Sequence, residues 1–248
     1  MKAMILAAGL GTRLRPLTDD RPKALVEVAG RTLLEIALTR LSSCGIRDVI
    51  INVHHFADKI VDYLRVQKNF GMHIEISRED VLLDTGGGLK KAGWFFLDDS
   101  ATADEPFLLH NVDILSTIDF RRMVDAHSDK KALATLAVQP RDSSRLLIFD
   151  EHQRLCGRRA GRDREPEMVC PAANLKPRAF CGVHVISARL IRMMQEDGAF
   201  SIIDLYLRLA ARREDILAFP ADEYYWRDLG RLDQVQQAAE DYKQKLYS

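Results

Sequence analysis

Met4-Ile-Leu-Ala-Ala-Gly-Leu-Gly-Thr-Arg-Leu-Arg-Pro-Leu-Thr-Asp-Asp-Arg-Pro-Lys23 is the stretch whose reading decides the fold. Just ahead of and into it, Ala3 to Ala8 runs six positions without a polar residue, the pattern of a strand buried on both faces. The run then breaks into Gly9-Leu10-Gly11-Thr12-Arg13. Apolar strands that end in a glycine-rich turn are where α/β proteins hold phosphate. Backbone N–H groups converge there and no Cβ blocks the approach. Arg13, Arg15 and Lys23 lie just downstream and can add fixed positive charge. The loop is not a Walker A sequence, because no Gly-Lys-Ser/Thr follows. Nor is it a dinucleotide fingerprint, because Leu14 stands at the third glycine position.

The other bounds are permissive. With 248 residues, 47% hydrophobic and 29% charged, the chain can bury the core of one α/β domain. Thirty-six basic and 36 acidic residues cancel, so no global field points to nucleic acid or to a membrane surface. No apolar run approaches the roughly 18 residues of a membrane helix, and no secretory signal opens the chain, so a cytoplasmic location is expected. Cys44, Cys156, Cys170 and Cys181 show no paired spacing, which favours buried or incidental thiols over structural zinc.

Working outward, Asp48 to Val53 and His73 to Ser77 read as strands, with helices over 32–45 and Ala57 to Val66. Thr32 is placed to cap the first of these helices and Gly45 to close it. Leu83 to Ala92 reads as a glycine-rich turn running into a helix. Pro106 to His110 and Ala132 to Val138 are further strands, and Asp119 can cap a helix to His127. This alternation predicts a Rossmann-like, mainly parallel mixed sheet flanked by helices. In such sheets ligands bind beyond the C-terminal strand ends. After Gln139 the pattern changes. Arg145 to Phe149, Leu155-Cys156 and Phe180 to Ile186 look like strands without intervening helices. Gly157 to Arg178 reads as a loop near the acceptor-substrate side. Ser187 to Met194, Ser201 to Arg212 and Arg231 to Leu246 read as helices, with short strands at Ile216 to Pro220 and Tyr224 to Trp226. The expected organisation is a single domain with a small β-rich lobe, 1–138 forming one half and 139–248 the other.

Two further features carry candidate chemistry. Asp113 and Asp228 each follow an apolar strand candidate, far apart in sequence. A hard Mg²⁺ ion takes one or two protein carboxylates plus phosphate oxygens, although aspartates at strand ends also serve as simple caps. Asp84-Thr-Gly-Gly-Gly88 offers bare backbone to a flat base, or is merely a flexible helix start. The histidines add little, since His54 and His55 would face opposite sides of a strand. The arginines of 154–164 have no interleaved aromatics for stacking on RNA, so a solvated loop is the default reading, with contact to the acceptor phosphate as the alternative.

The whole string Leu6-Ala-Ala-Gly-Leu-Gly-Thr-Arg with Arg21-Pro-Lys23 resembles the signature of the sugar-1-phosphate nucleotidyltransferases. The likeness continues through Thr85-Gly-Gly-Gly88, Asp113, Phe180-Cys-Gly-Val183 and Trp226-Arg-Asp228-Leu-Gly230. The resemblance implies a GT-A-like nucleotidyltransferase fold. It also implies Mg²⁺-dependent transfer from an NTP to a sugar 1-phosphate, with pyrophosphate released. By that resemblance Leu6, Ala7, Ala8, Gly9, Gly11, Thr12, Arg13 and Lys23 bind the nucleotide, together with Thr85, Gly86 and Gly87 at the base. Arg13, Lys23 and Asp113 would be catalytic. Asn111, Gly182 and Asp228 would hold the sugar phosphate, and Asp113 and Asp228 the metal. The Thr-Gly-Gly-Gly turn preceded by an acid most resembles short uridylyltransferases acting on N-acetylmuramate 1-phosphate, so UTP is the expected donor. Like them, the sequence shows no hexapeptide-repeat extension. A guanylyl- or thymidylyltransferase for mannose, heptose or glucose 1-phosphate is the nearest alternative. A non-catalytic nucleotide-sugar-binding regulator is the alternative from another class. Two positions depart from the family pattern. Val112 stands where glycine is usual, which should narrow the space beside the ligand, and Arg231 follows Gly230 where threonine is common.

Overall fold

A computed structural model describes residues 1–97 and 104–244. The chain opens with strands β1 (Lys2–Leu6), β2 (Glu27–Val28) and β3 (Arg31–Thr32), then helix α1 (Leu33–Ser43). Strand β4 (Asp48–Val53), helix α2 (Ala57–Val66), strand β5 (His73–Arg78) and helix α3 (Asp84–Lys91) follow. Next come β6 (Pro106–Asn111), β7 (Ile114–Ser116), α4 (Phe120–Asp129) and β8 (Ala134–Gln139). Strands β9 (Arg145–Phe149), β10 (Leu155–Ala160), β11 (Glu167–Met168) and β12 (Lys176–Ser187) run without a helix between them. Helices α5 (Arg189–Arg192) and α6 (Ile202–Ala211), strands β13 (Ile216–Pro220) and β14 (Trp226–Asp228), and helix α7 (Leu232–Lys243) complete the described chain. Among the described residues no helix is long and apolar enough to cross a membrane.

The caps form where the sequence places them. Thr32 Oγ1 accepts the Glu35 amide at 3.0 Å, and Asp119 Oδ1 accepts those of Arg121 and Arg122 at 3.0 and 3.1 Å. Each satisfies helix-start donors that would otherwise lack a partner. On α1, Leu33, Leu34, Ala37, Leu38 and Leu41 are all buried, as their helical spacing requires.

The chain forms two compact units. The first comprises Met1–Leu83, Leu109–Ile118 and Tyr224–Ser248. Here β1 pairs in parallel with β4, and β4 with β5, placing Leu6 opposite Asn52 and Asn52 opposite Ser77. Met4, Ile5, Val49, Ile50 and Ile51 are fully buried, so both faces of these strands are covered. Two small antiparallel pairs complete the unit, β2 with β3 and β14 with β7.

The second unit comprises Asp84–Leu108 and Asp119–Glu223. Strand β8 lies between β12, antiparallel, and β13, parallel. The twelve-residue β12 is long enough to pair with β8 through 179–186 and with β9 through 176–178. Strands β9, β10 and β11 then continue antiparallel. The β12–β8 register shifts between Phe180 and His184, where Gly182 has φ +72°. Between those pairs β12 carries two residues more than β8, and an irregularity of that kind kinks a strand and increases its twist.

Several boundaries correct the sequence reading. The Gly157 to Arg178 loop contains most of β10, all of β11 and the start of β12. Backbone pairing orders it although its side chains lack periodicity: Glu167 and Met168 are exposed on both faces, so alternation gives no signal. The expected strand at 224–226 lies at Trp226–Asp228, so Asp228 is a strand residue. Strand β7 was not anticipated, because three residues are too few to show a period. Gly86, Gly87 and Gly88 sit inside α3 and are buried, although glycine is a poor helix former. The last two residues of the helix expected to Leu246 lie outside the described chain.

Packing explains the α3 glycines. The amides of Gly86 and Gly87 both donate to the Phe200 carbonyl, at 2.9 and 3.4 Å. A Cβ on Gly86 would lie 2.3 Å from the Phe200 ring and 2.9 Å from that carbonyl. In an open helix Gly→Ala stabilises by about 1 kcal/mol. Here the obstructing carbonyl is backbone and cannot swing away, so overpacking of about 1–3 kcal/mol should win. Gly86→Ala is therefore expected to lower the urea midpoint with an unchanged m-value. A midpoint at or above that of the parent protein would refute the close-packing account.

Candidate active site

The site is assembled in the first unit from three strand ends. β1 stops at Leu6, whose carbonyl accepts the Val112 amide at 3.1 Å. That bond fixes the chain just past the end of β6, one residue before Asp113. Antiparallel pairing of β14 with β7 sets Asp228 opposite Ile114, and the Leu229 amide donates to the Asp113 carbonyl at 2.8 Å. Two aspartates 115 positions apart are thus brought to neighbouring places by backbone pairing alone.

Beyond β1 the chain turns. The Ala7 amide donates to Asn52 Oδ1 at 2.7 Å. The amides of Ala8, Gly9, Leu10 and Gly11 donate to no acceptor among the described residues. Gly11 has φ +67°, and a Cβ there would come within 3.0 Å of Thr18 and 3.1 Å of Lys23. Only glycine adopts that conformation freely while letting Lys23 pack beneath the turn. Thr18, buried, donates its hydroxyl to the Gly11 carbonyl at 2.9 Å and holds the turn closed.

The charged groups meet here. Lys23 Nζ is ion-paired with Asp113 Oδ2, and both side chains are largely buried. Asp228 Oδ1 accepts the Gly230 amide at 2.7 Å. A Cβ on Gly230 would lie 2.8 Å from Arg13 Nη2 and 2.8 Å from Asp228 Oδ1, so the guanidinium occupies the space that glycine leaves. Burial pushes the Asp228 carboxyl above its ordinary range, and the Asp113 charge beside it adds to the rise. The Gly230 amide, Lys23 and Arg13 oppose it. His110, at the end of β6, is buried, which lowers its imidazole to about 4 and keeps it neutral at pH 7.

Of the residues expected to act, Leu6, Ala7, Ala8, Gly9, Gly11, Thr12, Arg13, Lys23, Asn111, Asp113 and Asp228 all belong to this unit. Thr12 opens a single 3₁₀ turn and is exposed. Val112, expected to narrow the ligand's space, is 5% exposed. Thr85, Gly86, Gly87 and Gly182 belong to the second unit, where the Thr85 hydroxyl accepts the Ile202 amide at 3.0 Å. Sequence reading passed over Thr18, Asn52 and Glu79. A buried amide inside the apolar run Val49 to Val53 was the available signal for Asn52.

Two carboxylates beside one lysine and one arginine, next to a row of free amides, can hold a polyanion together with a divalent cation. The donor set fits a hard cation. The carboxylates are oxygen ligands, one of them is already strained by its neighbour's charge, and a dication would relieve both. Among the described residues no cluster of three or more His, Cys, Asp or Glu side chains could hold a metal unaided. Such a cation would therefore need oxygens from the polyanion.

A family model described as nucleotidyl transferase matches residues 2–146. The chain is 34% identical over 234 residues to an N-acetylmuramate α-1-phosphate uridylyltransferase of Caulobacter vibrioides, covering 92% of this chain and 91% of the relative. It is 28% identical over 234 residues to a mannose-1-phosphate guanyltransferase of Yarrowia lipolytica, covering 93% and 61%. Among solved structures, HddC from Yersinia pseudotuberculosis, complexed with GMP-PN, superposes with a TM-score of 0.75 at 21% identity. That match covers 97% of this chain and 99% of the other.

The strain on Asp228 gives a test free of any ligand. Its carboxyl holds a proton more tightly in the folded chain than in the unfolded one. Ionised Asp228 therefore costs stability above its folded pKa, and the cost is absent below the ordinary value of 3.8. Asp228→Asn keeps an oxygen for the Gly230 amide while removing the charge. In chelator-treated protein it should raise Tm at pH 7, with the gain fading as pH falls toward 3.8. A lower Tm at pH 7 would contradict the assigned repulsion.

Proposed function

The chain belongs to the nucleotidyl transferase family as a sugar-1-phosphate nucleotidyltransferase, and we propose that its donor is UTP and its acceptor an amino-sugar 1-phosphate of the N-acetylmuramate kind. The Caulobacter vibrioides uridylyltransferase supports that choice, since it aligns over 91% of its own length, whereas the guanyltransferase aligns over 61%. One observation carries the site assignment. A single unit holds the free amides of 8–11 together with Arg13 and the Lys23–Asp113–Asp228 cluster.

In the proposed reaction an acceptor phosphate oxygen bonds to the α-phosphorus, and the bond from that phosphorus to the bridging oxygen of pyrophosphate breaks. The attacking oxygen is already anionic, so no general base is needed. Rate must come from alignment and from charge placed where it develops. The amides of Ala8 to Gly11 bind the outer phosphates. Arg13 draws charge toward the departing pyrophosphate, and Lys23 holds the α-phosphate in line while fixing Asp113. Mg²⁺ held by Asp113 and Asp228 would supply Lewis-acid charge at the α-phosphate. Asn111 contacts the sugar beside them.

The deciding measurement is pyrophosphate release with UTP, GTP, dTTP and ATP against N-acetylmuramate, N-acetylglucosamine, mannose and glucose 1-phosphates. UTP with N-acetylmuramate 1-phosphate is expected to give the highest kcat/KM. A faster GTP–mannose 1-phosphate pair would replace our substrate reading with the guanylyl one.

Two substitutions test the site. Asp228→Ala should abolish Mg²⁺-dependent release without unfolding the protein, and unchanged turnover would sink its assignment. Gly230→Ala should push aside the ends of two flexible side chains, Arg13 and Asp228, rather than backbone. Its fold should survive while kcat drops about 10²-fold, the usual consequence of a small misplacement in a catalytic cluster. Wild-type kcat in that variant would remove Arg13 from the mechanism.

A further inference from the structure

Asn52 and Glu79 belong to no motif, yet they are 2% and 5% exposed. A carboxylate this deep is costly unless its oxygens are engaged. Both oxygens are: Glu79 Oε1 accepts Asn52 Nδ2 at 2.7 Å, and Oε2 accepts the Leu83 amide at 2.9 Å. The Asn52 side chain passes the connection on, because its Oδ1 accepts the Ala7 amide at 2.7 Å. Its orientation has no alternative, since only the oxygen can accept from Ala7 and only the nitrogen can donate to Glu79.

The peptide so held is at a particular place. β1 ends at Leu6, and the amides of Ala8 to Gly11, just beyond, are the free ones. Leu6 lies opposite Asn52 in the parallel ladder, so the Asn52 side chain stands in for the ladder acceptor that Ala7 would otherwise lack. On the same strand end, the Leu6 carbonyl takes the Val112 amide. Ala7 is therefore the last fixed peptide before the loop.

We propose that Asn52 and Glu79 are positioning residues for the triphosphate, orienting through the Ala7 peptide the amides that follow it. The proposal rests on the reading of that loop as the triphosphate clamp. Neither side chain touches substrate in this account. Glu79 fixes Asn52, Asn52 fixes the strand end, and the strand end aims the loop.

The test exploits bond polarity. Asn52→Asp alone sets a second carboxylate against Glu79. Glu79→Gln alone leaves an NH₂ facing a donor, either Leu83 N–H or Asn52 Nδ2. The double variant Asn52→Asp/Glu79→Gln reverses the central bond, and every donor again meets an acceptor. Initial rates with UTP and the acceptor sugar 1-phosphate are measured for all four proteins, alongside Tm and UTP binding by calorimetry. Each single variant should raise the UTP KM about tenfold or more, as an unsatisfied buried group implies, while the acceptor KM changes less than about twofold. The double variant should return the UTP KM to within about threefold of the parent value.

Unchanged UTP KM in the single variants overturns the proposal. So does a parallel rise of both KM values with a fall in Tm, which is the signature of a scaffold role. If a single variant does not fold, the double variant decides: a normal UTP KM supports the proposal and a raised one at normal Tm overturns it. Failure of the parent protein to bind any NTP would instead remove the clamp reading on which the proposal rests.

Discussion

Two carboxylates placed side by side repel, and the first unit is arranged around containing that repulsion. The antiparallel pairing of β14 with β7 forces the encounter, because it fixes Asp228 opposite Ile114. The structure answers with the Lys23 ion pair to Asp113 and the Gly230 amide on Asp228. Arg13, lying against Gly230, adds a second positive charge. Burial still wins at Asp228, whose carboxyl remains raised. A carboxyl held in that state would be relieved by a divalent cation, as the proposed reaction requires.

Close approach governs where glycine is used. Gly11 lets Lys23 pack under the loop, Gly230 makes room for the Arg13 guanidinium, and Gly86 admits the Phe200 ring and carbonyl. The first two serve charge placement. The third serves helix docking, with the Gly86 and Gly87 amides both spent on Phe200. Glycine runs that look alike in sequence thus answer to different constraints, and only their packing neighbours tell them apart.

Legibility followed period and length. The helix at Ala57–Val66 and the strands at Arg145–Phe149 and Ile216–Pro220 fall where their patterns put them. Caps at Thr32 and Asp119 were equally legible, since a cap is a local contest between a side chain and water for orphan amides. What escaped was non-local. β7 and β11 exist through their partners, and their few residues carry no period of their own. The cluster of Arg13, Lys23, Asp113 and Asp228 could be named from motifs, but the Gly230 contact and the Leu6–Val112 bond that assemble it could not. Asn52 and Glu79 form a pair across 27 positions with no spacing to announce it.

Val112 has a non-local role that its sequence position does not announce. Glycine at its position would let backbone approach a ligand, and a valine there suggests obstruction. In the structure the side chain is 5% exposed and the amide is used by Leu6, so the residue serves the strand end. Its neighbours Asn111 and Asp113 are both partly accessible. Asn111 Oδ1 is buried and meets no donor among the described residues. Buried acceptors in that condition cost stability until a donor arrives. A sugar hydroxyl would be such a donor, and it would lie two residues from the carboxylate assigned to the cation. In the proposed reaction this strand end would join sugar recognition at Asn111 to charge neutralisation at Asp113, with the Val112 amide anchored on Leu6 between them.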